Sequence, residues 1–301
     1  MNVRFYGSGP YSVVVVHGGP GAPGTMAGLA GMLSSQCGVM EPLQTRLTIE
    51  GLMEELREQI HASCKEPVIL IGHSWGAWLS WLFAQKYPES VGRLILVGCG
   101  PLQPHYAGEI GIRRKRNLTE EEGREFEMLI RELDEGTDAG TDAGTDAGTD
   151  AGTDAGTDAG TDAGTDAGTD VGRDAEKDRK LARLGHLAEK SDYFCRIRME
   201  EAEQNALKPD AEMHTKIWGQ ASKLRASGEL LDKFAGITCP VVIIHGRNDS
   251  HPVEGVLEPM KMRGMKPKTY ILEKCGHTPW EEQYARNEFY DILLREITMK
   301  K

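Results

Sequence analysis

Apolar residues in this chain fall into short unbroken runs separated by longer stretches with helical spacing. The runs at 12–16, 67–71, 93–97, 241–244 and 269–272 are rich in Val, Ile and Leu, and several are bounded by Gly or Pro. Runs of this kind suit strands buried on both faces, the habit of a parallel sheet. Between them, Ile49, Leu52, Met53, Leu56 and Ile60 fall on one face of a 3.6-residue helix. Phe289, Ile292, Leu293 and Ile297 do the same near the C-terminus. The alternation predicts an α/β fold: a mostly parallel sheet with helices on both faces.

The middle of the chain breaks the rhythm. From about Leu102 to Leu231 no run reads as a strand, and the pattern turns helical and charged. Thr119 with Glu122 forms a capping-box signal for a helix running toward Leu133, and a second helical stretch covers about 175–190. The expected organisation is therefore a sheet-forming core over 1–101 and 232–301, interrupted by a helical cap over 102–231. Within the cap, residues 136–171 repeat Gly-Thr-Asp-Ala eight times and close with Gly-Thr-Asp-Val. As a helix the repeat would place Gly at every fourth position and Asp at i and i+4, both unfavourable; as a strand it has nothing to bury. It is expected to be a disordered, solvated loop, and it lacks the fixed apolar position of calcium-binding nonapeptide repeats.

That tract also accounts for most of the charge. The 301 residues carry 46 acids against 35 bases, a formal net charge of −11. Nine of those acids are the repeat's Asp residues, and without them the balance is 37 to 35. Neither figure suits a nucleic-acid binder, which needs a basic face. Purely aliphatic runs such as Val13 to Val16 are far too short to cross a membrane, and no basic leader precedes a long apolar stretch. The six cysteines are widely spaced with no Cys-x-x-Cys pair and read as reduced thiols, so the expected compartment is the cytoplasm.

Candidate chemistry lies where the apolar runs end. After 67–71 comes Gly72-His73-Ser74-Trp75-Gly76 and then a helical run. This is G-x-S-x-G, the sharp strand-to-helix turn that exposes a serine at a sheet edge. After the first clear strand comes His17-Gly18-Gly19-Pro20-Gly21, a turn suited to aiming a backbone N–H at a developing oxyanion. It lacks the endings of a phosphate loop or a dinucleotide fingerprint, so no cofactor or metal is expected. The run at 241–244 leads into Asp249 and the run at 269–272 into His277, both outside carboxyl ends of strands, where open α/β sheets assemble sites. Ser74, Asp249 and His277 form the expected catalytic set, with N–H donors from Gly19 and Trp75. Glu254 and Asp232 are rival acids, and His73, His245 and His251 lie near the same loops without being assigned as base.

Taken together, the segments 17–21, 72–76, 246–249 and 275–280 resemble the α/β-hydrolase superfamily. The strings HGGPG and G-x-S-W-G are similar to those of proline iminopeptidase-like hydrolases within it. The resemblance implies a helical cap between the sixth and seventh strands, with one customary N-terminal strand shortened or absent. It also implies a cofactor-independent serine hydrolase acting on a small-molecule or short-peptide substrate, an aminopeptidase ahead of a carboxylesterase or a C–C bond hydrolase. A serine at the elbow disfavours dehalogenase and epoxide-hydrolase chemistry, which in this superfamily normally uses Asp there. Cap carboxylates hold the substrate amine in the aminopeptidases; Glu200, Glu201 and Glu203 are available here, but no tryptophan-rich acidic cap motif surrounds them and they read as a solvated helix face. The rival from another class is a small-molecule receptor on the same scaffold.

Overall fold

A computed structural model describes residues 2–134, 171–197 and 207–299. Seven strands form one sheet: β1 (Val3–Tyr6), β2 (Tyr11–Val16), β3 (Gly38–Pro42), β4 (Val68–His73), β5 (Val91–Val97), β6 (Val241–Gly246) and β7 (Lys268–Leu272). Their order is β1-β3-β2-β4-β5-β6-β7. Only β1 runs antiparallel to its neighbour, pairing Val3 with Pro42 and Tyr6 with Val39. Helices α1 (Ala27–Leu33), α2 (Ile49–Ser63) and α3 (Trp75–Lys86) alternate with the first five strands. Helices α4 (Pro104–Lys115), α5 (Glu120–Asp134), α6 (Val171–Asp192) and α7 (Ala211–Ser227) lie between β5 and β6. Helix α8 (Glu254–Met262) joins β6 to β7, and α9 (Arg286–Thr298) follows β7.

The unbroken apolar runs serve both faces of the sheet, because successive side chains on a strand point opposite ways. Val14, Val16, Leu70, Leu94, Leu96 and Ile243 enter a core shared with α2, α3, α7 and α8. Val13, Val15, Ile71, Ile95, Val97 and Ile244 enter a second core under α1 and α9. Helix α3 is buried from Trp75 through Ala84, which is why its sequence is apolar all round.

Five strands fall where the apolar runs predict them, while β1 and β3 are additions. The strand β3 is fully buried yet contains Glu41. Its carboxylate accepts from Tyr6 Oη at 2.7 Å and Met26 N at 3.1 Å. Burial pushes the Glu41 carboxyl up, and these donors with Arg4 pull it partly back. A charged residue supplied with partners by β1 and α1 hides a central strand from any hydropathy pattern.

Among the described residues no named strand lies between β5 and β6, and the predicted capping box is present. Glu122 N donates to Thr119 Oγ1 at 3.2 Å, and Thr119 N donates to Glu122 Oε2 at 2.9 Å. Helices α5 and α6 close a small core of their own through Phe126, Leu129, Leu133, Leu181, Leu184 and Leu187. Because seven strands are present, the helices fall between the fifth and sixth; the resemblance implied the sixth and seventh. The offset is at the start of the sheet, where the edge strand β1 is already the antiparallel one. The stretch expected to be disordered, 136–171, lies outside the described residues except at its last residue, Val171, which begins α6. Glu200, Glu201 and Glu203 lie outside them as well.

A buried ion pair joins α4 to the end of α6. Arg114 of α4 and Asp192 at the end of α6 meet in a bidentate contact, Nε to Oδ1 at 3.0 Å and Nη2 to Oδ2 at 2.7 Å, with both side chains buried. Removing one member strands the other charge away from water. Arg114→Ala should therefore lower unfolding free energy by about 3–5 kcal/mol, read from the urea midpoint. The double change Arg114→Met with Asp192→Leu should recover much of that loss.

Candidate active site

The turn from β4 into α3 forces Ser74 into the left-handed half of backbone space, at φ 52° and ψ −117°. A non-glycine residue is held there only when its surroundings over-determine it. Ser74 N donates to Val97 O at 3.0 Å, pinning the turn to the end of β5. The flanking glycines are needed for close approach. A Cβ on Gly72 would collide with the Gly76 carbonyl, and one on Gly76 with the carbonyls of Val16 and His17. The same contact seats the loop after β2 directly against the start of α3. Gly19 in that loop has φ 48°, and its carbonyl accepts from Ala22 N at 3.0 Å. Trp75 is the first residue of α3, where a backbone N–H has no intrahelical acceptor.

Asp249 and His277 meet in a direct contact. His277 Nδ1–H donates to Asp249 Oδ2 at 2.8 Å, and both side chains are buried. His277 Nε2 has no hydrogen-bond partner among the described residues. The ring abuts Gly98, where an added Cβ would lie 3.0 Å from His277 Nδ1 and Cε1. Gly98 follows Val97, the residue holding Ser74 N, and the His73 ring is 4.7 Å from that of His277. The elbow and the imidazole therefore share one anchor at the end of β5. The rival acids are engaged elsewhere: Glu254 pairs with Arg113 at 3.8 Å and Asp232 with Arg263.

The unassigned histidines converge on the same place. His73 Nε2–H donates to His277 O at 3.0 Å, and His245 Nε2–H donates to His251 O at 2.8 Å. The donor atoms of Asp249, His251 and His277 all lie within 4.8 Å of one another and are spent on mutual N–H···O bonds. Burial alone would push the Asp249 carboxyl up. The charges of His277, His245 and His251, with the hydrogen bond from His251, outweigh it and hold the carboxyl well below its usual range. Burial keeps the His245 imidazole below its usual value. Burial also pushes the neighbouring Cys275 thiol far up, leaving no thiolate to compete as a nucleophile.

The support behind His277 could not be read from the chain. His277 N donates to Asp192 O at 2.8 Å, so the ion-paired end of α6 carries the imidazole's backbone. Glu282, itself buried, accepts from three amides: the buried Gly276 N in the histidine loop and, in half-buried contacts, Phe194 N and Cys195 N just after α6, each at 2.7 Å. Glu282 follows Trp280 and Glu281 in a stretch whose only local signal is an acidic pair. Beside the acid loop, a cavity of about 680 Å³ is lined by Asp249, Ser250, Arg116, Asn117 and Tyr193 among others.

An α/β sheet with a strained serine at a strand–helix elbow, and an acid and a histidine beyond later strands, defines a hydrolase-type architecture. Residues 13–287 match the Alpha/beta hydrolase family, and the chain belongs to that family. A segment of 48 residues is 35% identical to Epoxide hydrolase 1 of Caenorhabditis elegans, covering 16% of this chain and only 12% of that relative's length. The crystal structure of VinJ is similar over 98% of this chain and 93% of its own, with 15% identity and a TM-score of 0.63. A thermophilic esterase from Thermogutta terrifontis is similar over 99% and 93%, with 17% identity and a TM-score of 0.53. At such identities the two structures show a shared fold.

Replacing Glu282 by Ala removes the acceptor of three amides at once, the buried Gly276 N among them. At about 1–3 kcal/mol for a buried unsatisfied group, the variant should lose roughly 2 kcal/mol of stability. Amide hydrogen exchange at Gly276, Phe194 and Cys195 should quicken first. Unchanged protection at all three would show that the carboxylate does not hold them.

Proposed function

We propose that the protein is a serine hydrolase working through an acyl-enzyme. Ser74 is the nucleophile, His277 the general base and acid, and Asp249 the group that fixes the imidazole tautomer. The observation that carries this reading is the state of His277. Its Nδ1–H is given to a buried, ionised carboxylate, which leaves Nε2 as the basic nitrogen, without a hydrogen-bond partner among the described residues. Ser74 Oγ adds to a carbonyl carbon while its proton passes to Nε2. The imidazolium returns that proton to the departing amine or alcohol. Water then repeats the sequence on the acyl-enzyme and frees the acid and Ser74. The N–H groups of Gly19 and Trp75 receive the oxyanion, and one such donor contributes about 3 kcal/mol of transition-state stabilisation.

The substrate class is a small amide or ester. The strings HGGPG and G-x-S-W-G favour an aminoacyl amide, as in proline iminopeptidase-like enzymes, and the similarity to an esterase supports a simple acyl ester. The serine at the elbow separates this chemistry from the aspartate-based route of epoxide opening, in spite of the short segment shared with an epoxide hydrolase.

A fluorophosphonate probe followed by peptide mass spectrometry tests the assignment. The adduct is expected on Ser74 alone and should vanish in Ser74→Ala with the melting temperature within a few degrees of the parent. Undiminished labelling of Ser74→Ala would refute the nucleophile. Turnover of a prolyl arylamide without turnover of p-nitrophenyl acetate would select the aminopeptidase form; the reverse would select the esterase.

A further inference from the structure

The Asp249 carboxylate is gripped by more donors than a simple acid–histidine pair provides. Oδ2 accepts His277 Nδ1–H at 2.8 Å. Oδ1 accepts twice from His251, from its backbone N–H at 2.8 Å and its ring Nδ1–H at 2.9 Å. The His251 and His277 rings are stacked, with centroids 4.2 Å apart and planes 25° from parallel. His251 is itself fixed, since its carbonyl accepts from His245 Nε2, which also lies 3.3 Å from Asp249 Oδ2. Two buried imidazoles therefore lie face to face, each aiming Nδ1 at a different oxygen of one carboxylate. No step of the reaction above uses His251.

We propose that His251 is a positioning residue for the base: it fixes Asp249 Oδ1 so that Oδ2 meets His277 Nδ1, and it restrains how readily His277 takes up a proton before substrate arrives. The proposal rests on the reading of His277 as the base. Two effects act in the same direction. A carboxylate that already receives N–H donors on Oδ1 has less charge to offer an imidazolium on Oδ2. A proton on either ring also opposes one on the other, because the stacked pair is closed off from water. A base that stays unprotonated at lower pH is the benefit.

The other titratable groups around the pair are accounted for. His73 from β4 faces the His277 ring and donates to its carbonyl, and His245 from β6 donates to the His251 carbonyl, burial keeping its imidazole below the usual value. Cys275 and Glu282, flanking the histidine loop, are both close enough to feel the charge of Asp249. The charges of Arg114 and Asp192 are spent on each other. His251 is the residue that both donates a ring proton to Asp249 and stacks on His277.

The test is the rate of fluorophosphonate labelling between pH 5 and 9 for the parent, His251→Phe and His251→Asn. Phe keeps a flat ring against His277 and removes the Nδ1–H donor; Asn offers an N–H toward Oδ1 without the ring. Without the second donor, Asp249 favours the imidazolium more strongly, so the acid limb should move up by about one pH unit in His251→Phe. Labelling at pH 6 then falls about tenfold more than the high-pH plateau does. His251→Asn should bring the limb back toward the parent. A plateau loss with an unmoved limb in His251→Phe would reveal a merely structural role and overturn the proposal. Proton NMR of the parent protein is the second measurement, independent of how the variants fold. Two downfield imidazole N–H signals, both lost in Asp249→Asn, are expected; one signal would overturn the proposal. Two signals in a protein that takes no label would sink the hydrolase reading while leaving the shared carboxylate standing.

Discussion

A carboxylate cannot be buried at the end of a strand unless donors surround it, and the neighbourhood of Asp249 is organised by that requirement. Imidazoles from three separate loops and strands meet it: His277 after β7, His251 in its own loop, and His245 at the end of β6. Each is placed by a backbone contact as well as by its ring, so the charge is compensated by groups that the fold itself fixes. The compensation is strong enough to overcome burial and leave the acid ionised. An ionised acid holds a proton on the near nitrogen of His277 and so decides which nitrogen is left basic.

The sheet makes this arrangement available. Parallel strands present their carboxyl ends on one side, so loops distant in sequence meet there. The end of β5 matters most, because consecutive residues serve two tasks: Val97 holds the Ser74 backbone and Gly98 makes room for the His277 ring. A side chain at position 98 would occupy the space of the imidazole. The glycine there is a packing requirement of the site, as much as the glycines at 72 and 76 are requirements of the turn.

The parts legible in the sequence are those that depend on local pattern. Five strands announce themselves as apolar runs because both of their faces are buried, and Ser74, Asp249 and His277 stand out because each follows such a run. Strand β3 is not legible, since Glu41 breaks the pattern and its partners come from elements that only the fold brings near. The support for the site is hidden for the same reason. Arg114, Asp192 and Glu282 read as surface charges along the chain, yet all are buried and each is matched to groups distant in sequence. His251 is visible as one histidine among several near the acid, but two residues of separation do not foretell that its ring will lie on His277.

Helix α6 separates two features that sequence order places side by side. The Gly-Thr-Asp tract enters at its N-terminal end, and the residue whose carbonyl holds His277 N, Asp192, is at its C-terminal end. Twenty-two residues of helix at 1.5 Å each put these ends about 30 Å apart. The register between α6 and the histidine loop is thus set a full helix length from the point where the tract joins α6, so the two features meet the fold at opposite ends of one rod.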